Sequence, residues 1–195
     1  MPFSQGQLCL RALLACLVVA FVLPAGASAA STSANGGVAY TPPPPPAAKA
    51  KIVNGIAIPP ISAPARVKKA IAAANRIVRK PYVYGGGHKP YSRIWKKLDR
   101  GYDCSGTVSH ALYGGQFLNS PLDSGSFMSW GERGKGRWVT VYTNPGHAYV
   151  VIAGLRLDTS TGGRVSEEDM AGDGPRWRKF GRSSRGFRAR HPEGY

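Results

Sequence analysis

Apolar residues recur at helical spacing from Ala63 to Arg79, with charged and polar side chains between them. The apolar positions of this segment are Val67, Ala70, Ile71, Ala74, Ile77 and Val78. This period predicts an amphipathic helix, which Pro81 ends. A second helical pattern begins near Cys104, runs to about Tyr113 and ends at a pair of glycines.

The chain beyond the second helix has the pattern of β-strands. Runs rich in β-branched and aromatic residues occupy 138–142, 147–152 and 155–158. The turn sequences Asn144-Pro145-Gly146 and Ala153-Gly154 separate these runs, which favours an antiparallel meander. Helices followed by strands predict an α+β domain.

The first 29 residues have the pattern of a secretory signal peptide. Arg11 precedes the apolar run Ala12 to Leu23, and the small residues Ala27-Ser28-Ala29 fit a signal-peptidase site, so we place cleavage after Ala29. An uncleaved membrane anchor is a second interpretation, although a bilayer span needs about twenty apolar residues. A lipoprotein cleaved before Cys16 is a third. The first interpretation predicts a secreted or cell-wall protein without stable membrane insertion after cleavage.

Residues 30–62 have the composition of a linker. Ala, Ser, Thr, Gly and Pro dominate them, and the run Pro42 to Pro46 favours an extended polyproline conformation. So few large apolar groups cannot offset the entropy of ordering the chain. We therefore predict a disordered linker at 30–62 and one folded domain at 63–195.

The chain is strongly basic. Its formal charge of +16 falls to about +15 without the signal peptide, which favours anionic wall polymers as partners. Export and the lack of a known nucleic-acid-binding motif argue against nucleic acid. The C-terminal basic residues are Arg176, Arg178, Lys179, Arg182, Arg185, Arg188 and Arg190. They either bind such a polymer or form a solvated face over Trp177, Phe180 and Phe187.

Removal of the signal peptide would leave Cys104 as the only cysteine, so that no internal disulfide could form. A lone thiol in an exported protein is either buried and inert or kept for its reactivity. Cys104 lies in Asp103-Cys104-Ser105-Gly106, at a predicted helix start. There, unpaired N–H groups and the helix dipole favour the thiolate and face the position of an oxyanion. The flanking polar residues favour the reactive thiol.

A thiol nucleophile needs a base, and the histidines of the mature chain are His88, His110, His147 and His191. His147 follows a turn and opens an apolar strand, which would hold its imidazole rigidly at a sheet edge. His110 would be turned about 240° around the helix from the thiol. His88, in a glycine-rich loop, and His191, in the basic tail, are expected at the surface.

A third polar group is needed to orient the imidazole, and Asp158 lies one turn and one strand after His147. Asp158 is therefore the candidate orienting residue. The alternative is that it only begins a turn with Thr159 and Ser160.

Three motifs resemble those of the NlpC-type cell-wall peptidases. They are Pro81-Tyr82-Val83-Tyr84-Gly85-Gly86, Asp103-Cys104-Ser105-Gly106, and Gly146-His147 at the start of an apolar strand, in that order. The resemblance implies a papain-like α+β fold, with N-terminal helices packed on an antiparallel sheet of about five or six strands. It also implies hydrolysis of peptide bonds in peptidoglycan stems, typically between D-glutamate and a diamino acid.

The resemblance assigns roles to single residues. Cys104 would be the nucleophile, His147 the base, and Asp158 or, with a one-residue shift, Thr159 the orienting residue. The Tyr82 hydroxyl would help to bind the oxyanion, and Asp103 and Ser105 are further candidates for substrate binding.

The chain departs from the family pattern in three places. The segment between Gly86 and Asp103 is longer, the usual Pro-Gly-Asp before the histidine strand is absent, and the third polar residue is usually His, Asn or Gln.

The predicted chemistry requires no cofactor. The scattered histidines without paired ligand spacing also predict no metal site. Two alternatives are an amidase or acyltransferase of the same superfamily and a non-catalytic, basic wall-binding module.

Overall fold

The computed structural model describes residues 47–160 and 174–195. The predicted signal peptide at 1–29 and the linker as far as residue 46 lie outside the described residues. No helix within the described ranges is both long and apolar enough to cross a membrane.

A short β-hairpin precedes the first helix, within the segment that the sequence predicted to be disordered. Strands β1 (Lys51–Val53) and β2 (Ile56–Ile58) pair antiparallel around Asn54 and Gly55, which both have positive φ. The side chain of Asn75 accepts a hydrogen bond from the Ala57 N–H at 3.1 Å and donates one to the Ala57 carbonyl at 2.9 Å. The structure therefore differs from the predicted linker here, because a helix side chain satisfies the backbone of a segment that has few large apolar residues.

Helix α1 spans Ala65–Asn75, shorter than the predicted helix at 63–79. After Asn75 the backbone bonds shorten to i→i−3, from Arg76 to Ala73 and from Ile77 to Ala74. The apolar positions of the predicted stripe, including Ile77 and Val78, are all buried. The helical period therefore predicted the buried face correctly but extended the helix too far.

Helix α3 spans Cys104–Gly114, which confirms the helix predicted from Cys104 to about Tyr113. Asp103 is its N-cap residue, and its carboxylate accepts a hydrogen bond from the Gly106 N–H at 2.7 Å. Gly114 lies against Ala73 of α1, where a Cβ would overlap the alanine side chain. Two short helices, α2 (Tyr91–Ile94) and α4 (Ser124–Phe127), complete the helical part described.

Six strands of the described residues form an antiparallel sheet in the order β3-β8-β4-β5-β6-β7. They are β3 (Glu132–Arg133), β4 (Val139–Asn144), β5 (His147–Ile152), β6 (Leu155–Asp158), β7 (Arg176–Lys179) and β8 (Arg188–His191). The predicted strands coincide with β5 and β6 and nearly with β4, whereas β3, β7 and β8 were not predicted. The α+β class and the expected strand number are confirmed.

The alternation along β5 separates the core from the candidate site. Ala148, Val150 and Ile152 join the hydrophobic cluster that also contains residues of α1 and α3. His147 and Tyr149 therefore lie on the opposite face of the sheet, since successive side chains in a strand point to opposite sides. The pairing of β5 with β6 continues to Val150–Leu157, which brings Asp158 to the same end of the sheet.

Candidate active site

Cys104 is the first residue of α3, and its thiol is partly buried and unpaired. The first N–H groups of a helix have no partners within it and carry the positive end of the dipole. Asp103 fixes this end of the helix, so the thiol occupies a defined position. A nucleophile placed here has backbone donors beside it.

His147 opens β5 directly after a tight turn. The side chain of Asn144 accepts hydrogen bonds from the N–H groups of Gly146 at 3.0 Å and of His147 at 2.8 Å. This Asx-type turn fixes the backbone of the histidine. Nε2 of the imidazole lies 2.9 Å from Oδ1 of Asp158, which leaves Nδ1 for the thiol of Cys104.

The thiol and the imidazole perturb each other in the direction of an ion pair. Burial would raise the pKa of Cys104, but the hydrogen bond with His147 and a backbone hydrogen bond from Ala148 outweigh it, so that the pKa is lowered. Burial would lower the pKa of His147, but hydrogen bonds with Asp158 and then Cys104 raise it to about 9. At neutral pH the pair is therefore shifted towards thiolate and imidazolium, the reactive form of a cysteine nucleophile.

Asp158 ends β6, and its side chain is fully buried. Burial would raise the pKa of this carboxyl, but the hydrogen bonds from His147 and from the Ser160 N–H lower it. The Ser160 N–H donates to Oδ1 at 2.9 Å, the same oxygen that faces His147. Asp158 thus makes the contact that an orienting residue would make, and its role, like the alternative at Thr159, stays a prediction.

The loop that carries Tyr82 rests on the first turn of α3. The Gly85 N–H donates to Oδ2 of Asp103 at 3.0 Å, and the Asp103 N–H donates to the Gly86 carbonyl at 3.2 Å. A Cβ at Gly106 would overlap that carbonyl oxygen. Gly106 is thus required by the close approach of the two segments, whereas a Cβ at Gly86 would overlap the carbonyl of Gly101 and Gly85 has a φ of +73°. Tyr82 forms a parallel bridge with Tyr102 and is 41% exposed, and an oxyanion role for its hydroxyl remains a prediction.

The other two predicted binding residues, Asp103 and Ser105, are buried and joined to His88. Nε2 of His88 lies 3.0 Å from Oδ1 of Asp103 and 3.2 Å from the Ser105 hydroxyl. His88, expected at the surface, is partly buried, with 26% of its side chain exposed. The hydrogen bond with Asp103 raises the pKa of His88 against the opposing effect of burial. A substrate-binding role for Asp103 and Ser105 remains a prediction.

The sequence analysis missed Arg182, which lies at the carboxylate of Asp158. Nη1 of Arg182 lies 2.9 Å from Oδ2 of Asp158 and also donates a hydrogen bond to the Ser160 hydroxyl. Nε of Arg156 lies 3.5 Å from the same Oδ2. Nothing in the one-dimensional pattern distinguishes Arg182 from the other arginines of the basic tail, because its partner is distant in sequence.

Several other residues of the basic tail are committed to internal contacts. Arg176 donates to the carbonyl oxygens of Val78 at 2.6 Å and Lys80 at 3.2 Å. Arg190 donates to the Met128 carbonyl at 2.8 Å. Trp177 is buried in the core cluster. Packing therefore accounts for part of the tail, although Phe180 is 41% exposed and these two arginines contact backbone carbonyls instead of forming a solvated face.

No group of three or more His, Cys, Asp or Glu residues in the described ranges is arranged to hold a metal ion. Cys104, His147 and Asp158 place a thiol, an imidazole and a carboxylate in series. Such a series can form a thiolate, transfer a proton and keep one imidazole tautomer.

Comparisons with known proteins find a distant structural likeness. No family model matches the chain, and no curated protein matches it in sequence. Among solved structures, the peptidoglycan hydrolase RipB from Mycobacterium tuberculosis is similar over 67% of this chain and 66% of that chain, with 20% identity and a TM-score of 0.46. A likeness of this degree does not assign the chain to a family.

Proposed function

We propose that this chain is an exported cysteine peptidase that hydrolyses amide bonds in the stem peptides of peptidoglycan. The single observation that carries the proposal is the series Cys104, His147 and Asp158, in which the thiol begins a helix and its pKa is lowered. The substrate class comes from the resemblance of the three motifs to those of the NlpC-type peptidases.

The proposed reaction has two halves. The Cys104 thiolate attacks the carbonyl carbon of the scissile amide, and the oxyanion is stabilised by N–H groups at the start of α3 and by the hydroxyl of Tyr82. The His147 imidazolium gives its proton to the leaving amine as the carbon–nitrogen bond breaks, which leaves an acyl-enzyme. Neutral His147 then takes a proton from water, the resulting hydroxide attacks the thioester, and the thiolate departs from a free carboxylic acid product.

Within this proposal, the scissile bond is the one between D-glutamate and a diamino acid. The excess positive charge of the chain supports a location among anionic wall polymers, since it favours association with polyanions. No cofactor takes part in the proposed steps.

An amidase or acyltransferase of the same superfamily is a second candidate, because the same nucleophile would serve any amide. The acceptor distinguishes the two: water gives a free acid, whereas a second amine gives a new amide. A non-catalytic wall-binding module is disfavoured by the lowered thiol pKa, because binding alone gives no use for a thiolate.

The test is mass spectrometry of purified muropeptides incubated with the protein that begins at residue 30. Cleavage by this protein and none by Cys104→Ala would support a cysteine peptidase, and the product masses would identify the bond. Circular dichroism of both proteins ensures that they are compared in the folded state. Intact muropeptides with a folded parent protein would refute the proposed substrate, and equal cleavage by the variant would refute the proposed nucleophile.

A further inference from the structure

The two carboxylate oxygens of Asp158 have different hydrogen-bond donors. Oδ1 faces Nε2 of His147 at 2.9 Å and the Ser160 N–H at 2.9 Å. Oδ2 faces Nη1 of Arg182 at 2.9 Å and Nε of Arg156 at 3.5 Å. Because the Asp158 side chain is fully buried, these neighbours replace water as its hydrogen-bond donors.

Arg182 is itself held in place on the face of the sheet that carries the candidate site. Its guanidinium carbon lies 5.2 Å from the ring centroids of both Tyr149 and Phe187, within the range of cation–π contacts. Phe187 packs edge-on against Tyr149 at 5.1 Å. Only 18% of the Arg182 side chain is exposed. The guanidinium thus lies against both rings, with Nη1 at the carboxylate.

The geometry points to Arg182 as a positioning residue: it holds Asp158 against His147 and thereby maintains the reactive form of Cys104. This inference rests on the proposed Cys104–His147 pair. The inference gives Arg182 a role that the other arginines of the basic tail do not share.

Loss of the Arg182 charge would make the ionised form of Asp158 less stable. A buried carboxylate that loses its best-placed charged donor is less stable as an anion and less firmly oriented. The imidazolium of His147 then loses support, and the thiolate forms only at higher pH. The direct repulsion between the two cations acts in the other direction, but the intervening carboxylate is 2.9 Å from each of them. Arg156 keeps its 3.5 Å contact with Oδ2 in the variant.

The experiment measures alkylation of Cys104 by iodoacetamide as a function of pH in the full chain. Mass spectrometry of the peptide that contains Cys104 excludes any signal from Cys9 and Cys16. Arg182→Met keeps an unbranched apolar side chain against the two rings and removes the charge. Arg185→Met is the matched control, since Arg185 is exposed in the same loop.

Arg182→Met is expected to reduce the alkylation rate about tenfold at pH 6, which corresponds to a rise of about one unit in the pKa of Cys104. At high pH, where every thiol is ionised, the rate should change little. Arg182→Lys should recover part of the loss, because it restores a charge but not the planar guanidinium that contacts both aromatic rings. Arg185→Met should behave as the parent protein.

A purely structural role makes a different prediction. Arg182→Met would then lower the melting temperature and leave the pH profile of alkylation unchanged, which would overturn the inference. If Arg182→Met does not fold, Arg182→Gln, which keeps a hydrogen-bond donor, is judged by the same profile. In an Asp158→Asn background the effect of the Arg182 substitution should disappear, and its persistence would also overturn the inference. A parent protein whose Cys104 titrates as an ordinary free thiol would instead refute the proposed nucleophile pair.

Discussion

His110 lies inside α3, the helix that begins with Cys104, and its imidazole is fully buried. Its ring packs against Trp95 at 5.2 Å and Tyr102 at 5.3 Å. Neither ring nitrogen has a hydrogen-bond partner of normal geometry among the described residues, although the Ala73 carbonyl slightly favours the charged form. Burial, and after it the charge of Arg76, lowers the pKa of His110 from 6.5 to about 4.

This pKa predicts a loss of stability in mild acid. Between pH 6.5 and 4 the unfolded chain binds a proton at His110 that the folded chain does not, so stability falls as the pH falls. The displacement from 6.5 to about 4 corresponds to about 3 kcal/mol of unfolding free energy, at about 1.36 kcal/mol per pKa unit. The pKa values of Asp103 and Asp158 are lowered, so these carboxyls change the stability below pH 3.8. The pKa values of His88 and His147 are raised, so these histidines change it above pH 6.5. The pH range of the His110 effect is therefore separate from both.

Urea denaturation of the parent protein and of His110→Leu, followed by tryptophan fluorescence at several pH values from 7 to 4, measures this effect. Leucine is close to histidine in volume and does not titrate, so the variant should lose about 3 kcal/mol less than the parent over this range. Equal slopes of stability against pH in the two proteins would refute the reasoning. An NMR titration that places the pKa of His110 near 6.5 would refute it as well.

Three further predictions test the surroundings of the site. Gly106→Ala should lower stability by about 2 kcal/mol or more in thermal unfolding, because a methyl group would overlap the Gly86 carbonyl, and an unchanged melting temperature would contradict this packing. Asn75→Ala should expose the β1–β2 hairpin to limited proteolysis, since it leaves both backbone groups of Ala57 without partners at a cost of about 1–3 kcal/mol each; resistance equal to the parent would show that the hairpin docks by other contacts. Muropeptide cleavage should decline as the pH rises through about 9, where His147 loses its proton, whereas alkylation of the thiol should not; a parallel decline of both rates would refute His147 as the proton donor.

Local signals in the sequence were sufficient for the elements that carry the proposed nucleophile and base. Asp103 caps the helix that starts at Cys104, and the turn that starts at Asn144 precedes the strand that starts at His147. Caps and turns involve neighbours within three or four residues, so they can be read from a one-dimensional pattern. The same is true of the apolar stripe of α1, although its last turn tightens beyond Asn75.

Other features depend on partners that are far apart in the chain. The hairpin at 51–58 has a linker-like composition and is ordered by Asn75, while the basic tail contributes two strands of the sheet. His88, expected at the surface from its glycine-rich loop, is partly buried and contacts Asp103, which is fifteen residues further along the chain. Such contacts have no signature in local propensity.

The sequence by itself therefore determined the helix that starts at Cys104, the three central strands, the α+β class, and the proposal that Cys104, His147 and Asp158 act together. Only the tertiary structure decided that Arg182 meets Asp158, because the sequence does not indicate which of many arginines returns to a buried carboxylate. The physical reason is that helix periods, caps and turns are set by neighbouring residues. The ionisation of a buried site is set instead by whichever charges the fold brings within hydrogen-bond distance.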